Sequence, residues 1–259
     1  MRTQIRTLSA LLLSVALAAC GSDGNGTGGT GGTGGTGGTG GTGGTGGTVG
    51  TGGTGGTGGT GPTSSVNGIV YAYEQGYPTV SGATVEVYGT ALSTTTDASG
   101  SFTLEGVPDG DRLFITTAAG NWSTVDYWVV PGETTGGADL YVVPDSEVSA
   151  WATSIGRAIN DNHAMVDVTF SEGAQGGETA TIDADSDPPF TFSGWDAVNQ
   201  QSVIADGGFG ELVFPNVNPP SGTVDVTELS PSSCYVDETA GLRYPIFPKT
   251  ITFIYAYCL

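Results

Sequence analysis

Thr96-Asp97-Ala98-Ser99-Gly100-Ser101-Phe102-Thr103-Leu104 decides the fold. A polar turn with a glycine runs directly into alternating apolar residues, the pattern of a β-hairpin. Upstream, Gly82-Ala83-Thr84-Val85-Glu86-Val87-Tyr88 alternates too, with Ala83, Val85 and Val87 on one face and Thr84, Glu86 and Tyr88 on the other. Further back, Val66, Gly68, Val70 and Ala72 alternate with Asn67, Ile69, Tyr71 and Tyr73. Both of those sets are partly apolar, so this strand is expected at the centre of a sheet. Downstream, Gly106-Val107-Pro108-Asp109-Gly110 is a tight turn feeding Leu113-Phe114-Ile115-Thr116. Tyr127-Trp128-Val129-Val130 and Ala138-Asp139-Leu140-Tyr141-Val142-Val143 follow. Six or seven short strands at this spacing predict a small antiparallel β-sandwich over residues 66–145.

Four patterns in order carry a resemblance. They are Val66-x-Gly68-x-Val70, Gly82-Ala83-x-Val85-x-Val87, Thr96-Asp97-x-x-Gly100-x-Phe102-x-Leu104, and Gly106-Val107-Pro108-x-Gly110. Together they resemble a carboxypeptidase regulatory-like domain, a transthyretin-like sandwich grouped with starch-binding-like folds. Arg112 departs from that family's pattern, which has an aromatic residue opening the next strand. The resemblance implies surface display, interaction or carbohydrate binding, and it brings no catalytic residue; fold alone does not give function.

Beyond this unit, Val148, Trp151, Ala152, Ile155 and Ile159 recur at helical spacing after Asp145-Ser146. They predict a connecting helix within residues 146–162, over about Glu147–Ile159, with Ser146 as its N-cap. Strand patterns then return in Val166-x-Val168-x-Phe170, Thr179-Ala180-Thr181-Ile182, Gly210-Glu211-Leu212-Val213-Phe214 and Gly222-Thr223-Val224, and Lys249–Tyr257 closes the chain. Residues 163–259 therefore read as a second, divergent sandwich. The expected class is all-β: two tandem small antiparallel sandwiches joined by a short helix.

The N-terminus is an address. Met1–Arg6 is basic, and Leu11-Leu12-Leu13-Ser14-Val15-Ala16-Leu17 is apolar but too short to span a bilayer. Leu17-Ala18-Ala19-Cys20 resembles a bacterial lipobox, which implies cleavage after residue 19 and acylation of Cys20. Several acyl chains anchor a protein stably where one is marginal. Gly21, rather than Asp, favours the outer membrane. Residues 20–65 are dominated by a Gly-Gly-Thr repeat that has nothing to bury and is expected to be a disordered tether. About 40 such residues span roughly 35 Å as a random coil.

Six Lys+Arg face 26 Asp+Glu, a formal charge of −20. Loss of Arg2 and Arg6 with the leader leaves Arg112, Arg157, Arg243 and Lys249 as the cations. A chain this acidic repels phosphate backbones and anionic lipid headgroups, so nucleic acid is excluded as a partner and membrane contact is left to the lipid on Cys20. With Cys20 acylated, Cys234 and Cys258 remain, and in an oxidising compartment two such cysteines pair.

Catalytic patterns are thin. The single histidine, His163, cannot complete a Ser-His-Asp set by itself and reads as a surface residue. Asp183-Ala184-Asp185-Ser186-Asp187 imitates the opening of a calcium loop, but Pro188 stands at the glycine place and Gly194 at the bidentate acid, so it reads as a solvated turn. One lysine in the mature chain leaves no lysine for an isopeptide bond in the first sandwich. No catalytic residue, metal or cofactor is expected. Sugar rings stack on aromatic faces, which makes Tyr77, Trp122, Trp128 and Trp195, read as lying near loops and strand ends, the candidate ligand residues. The expected function is a non-enzymatic surface lipoprotein whose sandwiches bind an extracellular polysaccharide. The alternative is a structural or protein-interaction module without a small ligand.

Overall fold

The computed structural model describes residues 61–130, 135–171, 173–218, 221–236 and 243–259. The leader, Cys20 and nearly all of the Gly-Gly-Thr segment lie outside the described residues. Among the described residues the fold is all-β with one short helix, the class expected.

The first half contains β1 (Thr63–Ala72), β2 (Thr84–Val87), β3 (Ser93–Thr95), β4 (Ser101–Pro108), β5 (Gly110–Thr117), β6 (Asn121–Val130) and β7 (Thr135–Pro144). β1 lies between β4 and β7, central as its pattern predicts, and its residues alternate between buried and half-buried. A second layer runs β3-β2-β5-β6. Between the layers sit Val66, Val70, Val85, Phe102, Leu104, Phe114 and Leu140, all buried. Gly68 is where β1, β7 and the Phe102 ring meet: a Cβ there would lie 2.0 Å from Ala138 O and 2.7 Å from the ring.

The turn into β4 is held by Asp97. Its Oδ1 accepts the Ser99 amide at 2.8 Å, the Ser99 hydroxyl at 2.7 Å and the Ser101 amide at 3.0 Å. These donors hold the Asp97 carboxyl below its ordinary range, the Ser99 hydroxyl contributing most. Gly100 takes φ +81°, open to glycine at little cost. Arg112, the departure from the family pattern, ties down the following turn. Its guanidinium donates to the carbonyls of Pro108, Asp109 and Asp111 at 2.9, 2.6 and 2.6 Å.

The helix α1 (Asp145–Ile155) starts directly from β7 with Pro144 at the N-cap position and no side-chain cap. Ser146 therefore lies inside the first turn rather than capping it, and Asp145 and Glu147 supply the negative charge that suits a helix N-terminus. The helix ends four residues before Ile159 because Gly156 takes a left-handed φ of +67° and donates back to the carbonyls of Ala152 and Thr153. Val148, Trp151 and Ile155 are buried, as their spacing predicts.

The second half contains β8 (Ala164–Ser171), β9 (Thr179–Ile182), β10 (Phe190–Ser193), β11 (Asp196–Val198), β12 (Gly210–Val217), β13 (Gly222–Val224), β14 (Val226–Ser230), β15 (Cys234–Val236), β16 (Tyr244–Ile246) and β17 (Thr250–Cys258). Cys234 and Cys258 are disulfide-bonded between the register partners of β15 and β17.

The two halves share a sheet. β17 runs parallel to β8 along Ile251–Tyr257 and parallel to the start of β6 at Ser123–Val125. One path of neighbouring strands therefore reads β11-β10-β12-β8-β17-β6-β5-β2-β3. With β1–β7, three pairings among the described strands are parallel and the others antiparallel. The second core is also built partly on the first half: Leu113 and Val125, with Ile115 and Tyr127, pack against Val166, Phe170, Leu212 and Ile254. A third core lies under α1, where Trp122, Val143, Trp151, Met165, Phe190, Phe253 and their neighbours meet. This double coverage explains why seven of the eight residues of β8 are buried.

Candidate functional site

Four aromatic residues carried the ligand expectation, and the structure separates them. Trp122 and Trp128 both lie in β6, at its second and eighth positions. Trp122 is 3% exposed in the core beneath α1 and offers no face to a ligand. Trp128 is half-buried against the first core. Tyr77 and Trp195 come together, with ring centroids 5.3 Å apart, although 118 residues of chain separate them.

Tyr77 sits in the bend after β1 with φ +47°, an uncommon conformation for a side chain of its size. Its amide donates to Glu74 O at 3.0 Å, closing that bend. Trp195 occupies the tight turn between β10 and β11, next to Gly194 with φ +66°. Tyr73 stands between the two loops, 6.1 Å from the Tyr77 ring and 5.6 Å from Trp195. Tyr141 closes the group at 6.1 Å from Tyr77.

Beside this group opens a cleft of about 170 Å³, lined by Gln75, Glu147, Ala150, Trp151, Ser154, Trp195, Asp196 and Ala197. Glu147, Ala150, Trp151 and Ser154 recur at the spacing of one helical face, so α1 forms a wall and the buried Trp151 its base. The Trp195 turn forms the opposite wall. The remaining side chains are an amide, a hydroxyl and two carboxylates. Such a cleft can stack an apolar ring face and hydrogen-bond the ring's rim, and it holds about one pyranose unit.

Below the aromatic group lie three buried carboxylates: Asp126 on β6, Asp167 on β8 and Glu211 on β12. Tyr73 Oη donates to Glu211 Oε1 at 2.6 Å, Thr124 Oγ1 donates to Asp126 Oδ2 at 3.0 Å, and Thr169 Oγ1 donates to Asp167 Oδ1 at 3.3 Å. Burial pushes the Asp126 carboxyl up to about 7 against hydrogen bonds that pull it down. Asp167 is raised well above the carboxylate range by burial first and by Glu211 next. The four described cations are engaged elsewhere. Arg112 holds backbone carbonyls, Arg157 binds Pro188 O and Asn199, Arg243 pairs with Asp183 and Asp225, and Lys249 pairs with Asp145. Asp126 and Asp167 therefore hold their protons to higher pH than ordinary carboxyls instead of gaining counter-charges.

Two of the three carboxylates in the Asp183–Asp187 segment bind the protein itself. Asp183 pairs with Arg243 and accepts the Asp225 amide at 2.8 Å, and Asp187 accepts from Asn216 at 2.7 Å. Among the described residues no three His, Cys, Asp or Glu side chains converge as a metal site requires. His163 borders an open depression with Arg157, Asn160, Asp185, Asp187 and Asn216.

No known protein family and no curated protein matches the sequence. Solved structures do match. A protein of Bacteroides uniformis proposed to bind carbohydrate is 15% identical over 77% of this chain and 100% of its own, with a TM-score of 0.27. The shaft pilin of Lactobacillus rhamnosus GG is 13% identical over 76% of this chain and 98% of its own, with a TM-score of 0.26. A type II cohesin–X-dockerin complex from Acetivibrio cellulolyticus is 20% identical over 31% of this chain, with a TM-score of 0.26. This chain spans 58% of the length of that last structure. At these TM-scores the likenesses assign neither fold, ligand nor family.

Proposed function

We propose that this protein is a non-catalytic surface binding protein that engages a polysaccharide through the cleft between α1 and the Trp195 turn. In this reading Cys20 carries the lipid that holds the chain at the outer membrane. The Gly-Gly-Thr segment gives the sandwiches reach, and the first half belongs to the carboxypeptidase regulatory-like group its sequence resembles. One observation carries the binding role: the 5.3 Å approach of Tyr77 and Trp195, from separate halves, at the edge of a cleft with polar rim groups. An aromatic pair costs little entropy to present and suits the apolar face of a sugar. The size of the cleft points to one unit of a polymer, whose repetition then supplies avidity.

The test is a glycan array probed with the chain from residue 20 onward, carrying Cys20→Ser to keep it in solution. Binding that Trp195→Ala abolishes supports the reading. Silence across a broad array, with capture of one defined surface protein instead, would replace it with the protein-interaction alternative.

A further inference from the structure

The rim of the cleft is acidic on both walls. Glu147 projects from α1 and Asp196 from the Trp195 turn, and Asp196 is exposed. Glu74, in the bend that carries Tyr77, lies close enough to Glu147 to raise its carboxyl, second to burial. No lysine or arginine lines the cleft. Arg157 is the next residue along the same helical spacing, but it follows the left-handed Gly156 and its guanidinium is held by Pro188 O and Asn199 Oδ1. Lys249, at the other end of the helix, pairs with Asp145 at 2.9 Å.

Two consequences follow from electrostatics. A uronic acid or sulfated unit would meet like charge on both sides and would be repelled. A unit carrying an ammonium group gains twice, from the carboxylates and from the ring of Trp195, which attracts cations through its π-electrons. Neutral sugars gain only the stacking. The aromatic rings recognise the ring shape, and the acids recognise its substituent.

We propose that the cleft selects a sugar polymer bearing protonated amines, of the 2-amino-2-deoxyhexose type, over its N-acetylated and its anionic counterparts. This inference rests on the polysaccharide reading above. Acetylation removes the charge and adds bulk at the position the carboxylates address. Stacking survives that change, so the preference is a ratio of affinities rather than an all-or-none property.

The experiment measures the affinity of short oligomers for the chain from residue 20 with Cys20→Ser, at pH 6 and 0.15 M salt. The three probes are a glucosamine oligomer, its fully N-acetylated form and a uronate oligomer of the same length. The amine form is expected to bind about tenfold more tightly than the acetylated form, as two lining carboxylates and an aromatic ring allow. No binding of the uronate is expected. Glu147→Gln with Asp196→Asn should bring the amine and acetylated forms to one affinity, while Trp195→Ala removes both. An acidic chain attracts any polycation, so Glu86→Gln with Glu228→Gln, at exposed positions in β2 and β14, serves as the charge-matched control and should leave the ratio unchanged. Equal affinities in the parent chain overturn the amine preference and leave the polysaccharide reading standing. A ratio that falls equally in the control pair also overturns it, because the attraction would then belong to the whole surface. Failure of all three oligomers overturns the amine preference, and the glycan array then decides whether the polysaccharide reading falls with it.

Discussion

Tyr73 donates its phenol to Glu211 Oε1 at 2.6 Å, joining the end of β1 to β12 across 138 residues of sequence. The pair sits where the aromatic group that edges the cleft meets the buried acids beneath it. Burial, and next to it Glu211, drives the Tyr73 hydroxyl well above its ordinary range, so it stays a donor at every pH the fold survives. Tyr73→Phe keeps the ring against Tyr77 and Trp195 and removes only the oxygen. A buried carboxyl that loses a charge-assisted donor costs about 1–3 kcal/mol. The expected outcome is an unfolding free energy lower by that amount, read as a lower urea midpoint at unchanged slope, with sugar binding largely retained.

The acids beneath that pair make stability fall as pH rises. The folded-state pKa of Asp126, about 7, lies above its ordinary value of 3.8, so the native state holds a proton that the unfolded state releases. That contribution is complete below about pH 4, is lost progressively as pH climbs toward 7, and is flat beyond. Between pH 5 and pH 8 the loss from Asp126 alone is about 3 kcal/mol. Asp167 shifts the same way and adds to it. Asp126→Asn should flatten the profile and raise stability at pH 8, since an amide oxygen can still accept from Thr124. A urea midpoint that rises between pH 5 and pH 8 in the parent chain would contradict this assignment.

The first sandwich could be read strand by strand, because its alternation is clean and its turns carry glycine at the places that need a positive φ. The second half was legible as strands but not as a layout. Val166-Asp167-Val168 and Gly210-Glu211-Leu212 look like half-exposed strands with the acid toward water. The solvent is displaced on that face by α1, by Tyr73 and by the shared sheet, and no local pattern records a contact between β6 and β17 made across more than a hundred residues. The same long-range contact moved Trp122 from a candidate ligand residue into the core. Tyr77 and Trp195 were recognisable as aromatic residues in turns, but their meeting is a property of the assembled sheet.

The clasp of β15 to β17 gives a third expectation. The Cys234–Cys258 bridge closes a loop of 24 residues, which in the chain-entropy account stabilises the fold by about 3 kcal/mol. β17 is the strand shared by both halves. Cys234→Ser with Cys258→Ser should therefore lower one cooperative urea transition observed by Trp fluorescence, rather than split it in two. Two separated transitions would mean that the halves unfold independently despite the shared strand.

Gly68 tests the packing of β1 against β7. Alanine there would place its methyl 2.0 Å from Ala138 O, a backbone atom that cannot swing aside, so β1 and β7 would have to part. Overpacking of this kind costs about 3 kcal/mol. Gly106 offers the contrast: it takes φ +74° with open space around it, so alanine there meets backbone strain alone, about 1 kcal/mol. Thermal unfolding of Gly68→Ala and Gly106→Ala should rank them in that order. The reverse ranking would show that turn strain outweighs sheet contact in this fold.

Trp122 and Trp195 separate stability from binding most sharply. Trp122 packs beneath α1 with Met165, Ile251 and Val143, where 3% of its surface is exposed. Truncating a buried tryptophan leaves a cavity and costs about 3–5 kcal/mol. Trp195 is half-buried in a turn, so its loss opens no enclosed void and should lower the urea midpoint by much less. Its ring does supply a wall of the cleft and the face that meets Tyr77. Trp122→Ala is expected to bind sugar normally wherever it remains folded, at low temperature and without denaturant. Trp195→Ala is expected to remain folded and not bind. If both variants lose binding only in proportion to their loss of folded protein, the cleft is a by-product of packing, and the recognition surface must be sought elsewhere on the sandwich.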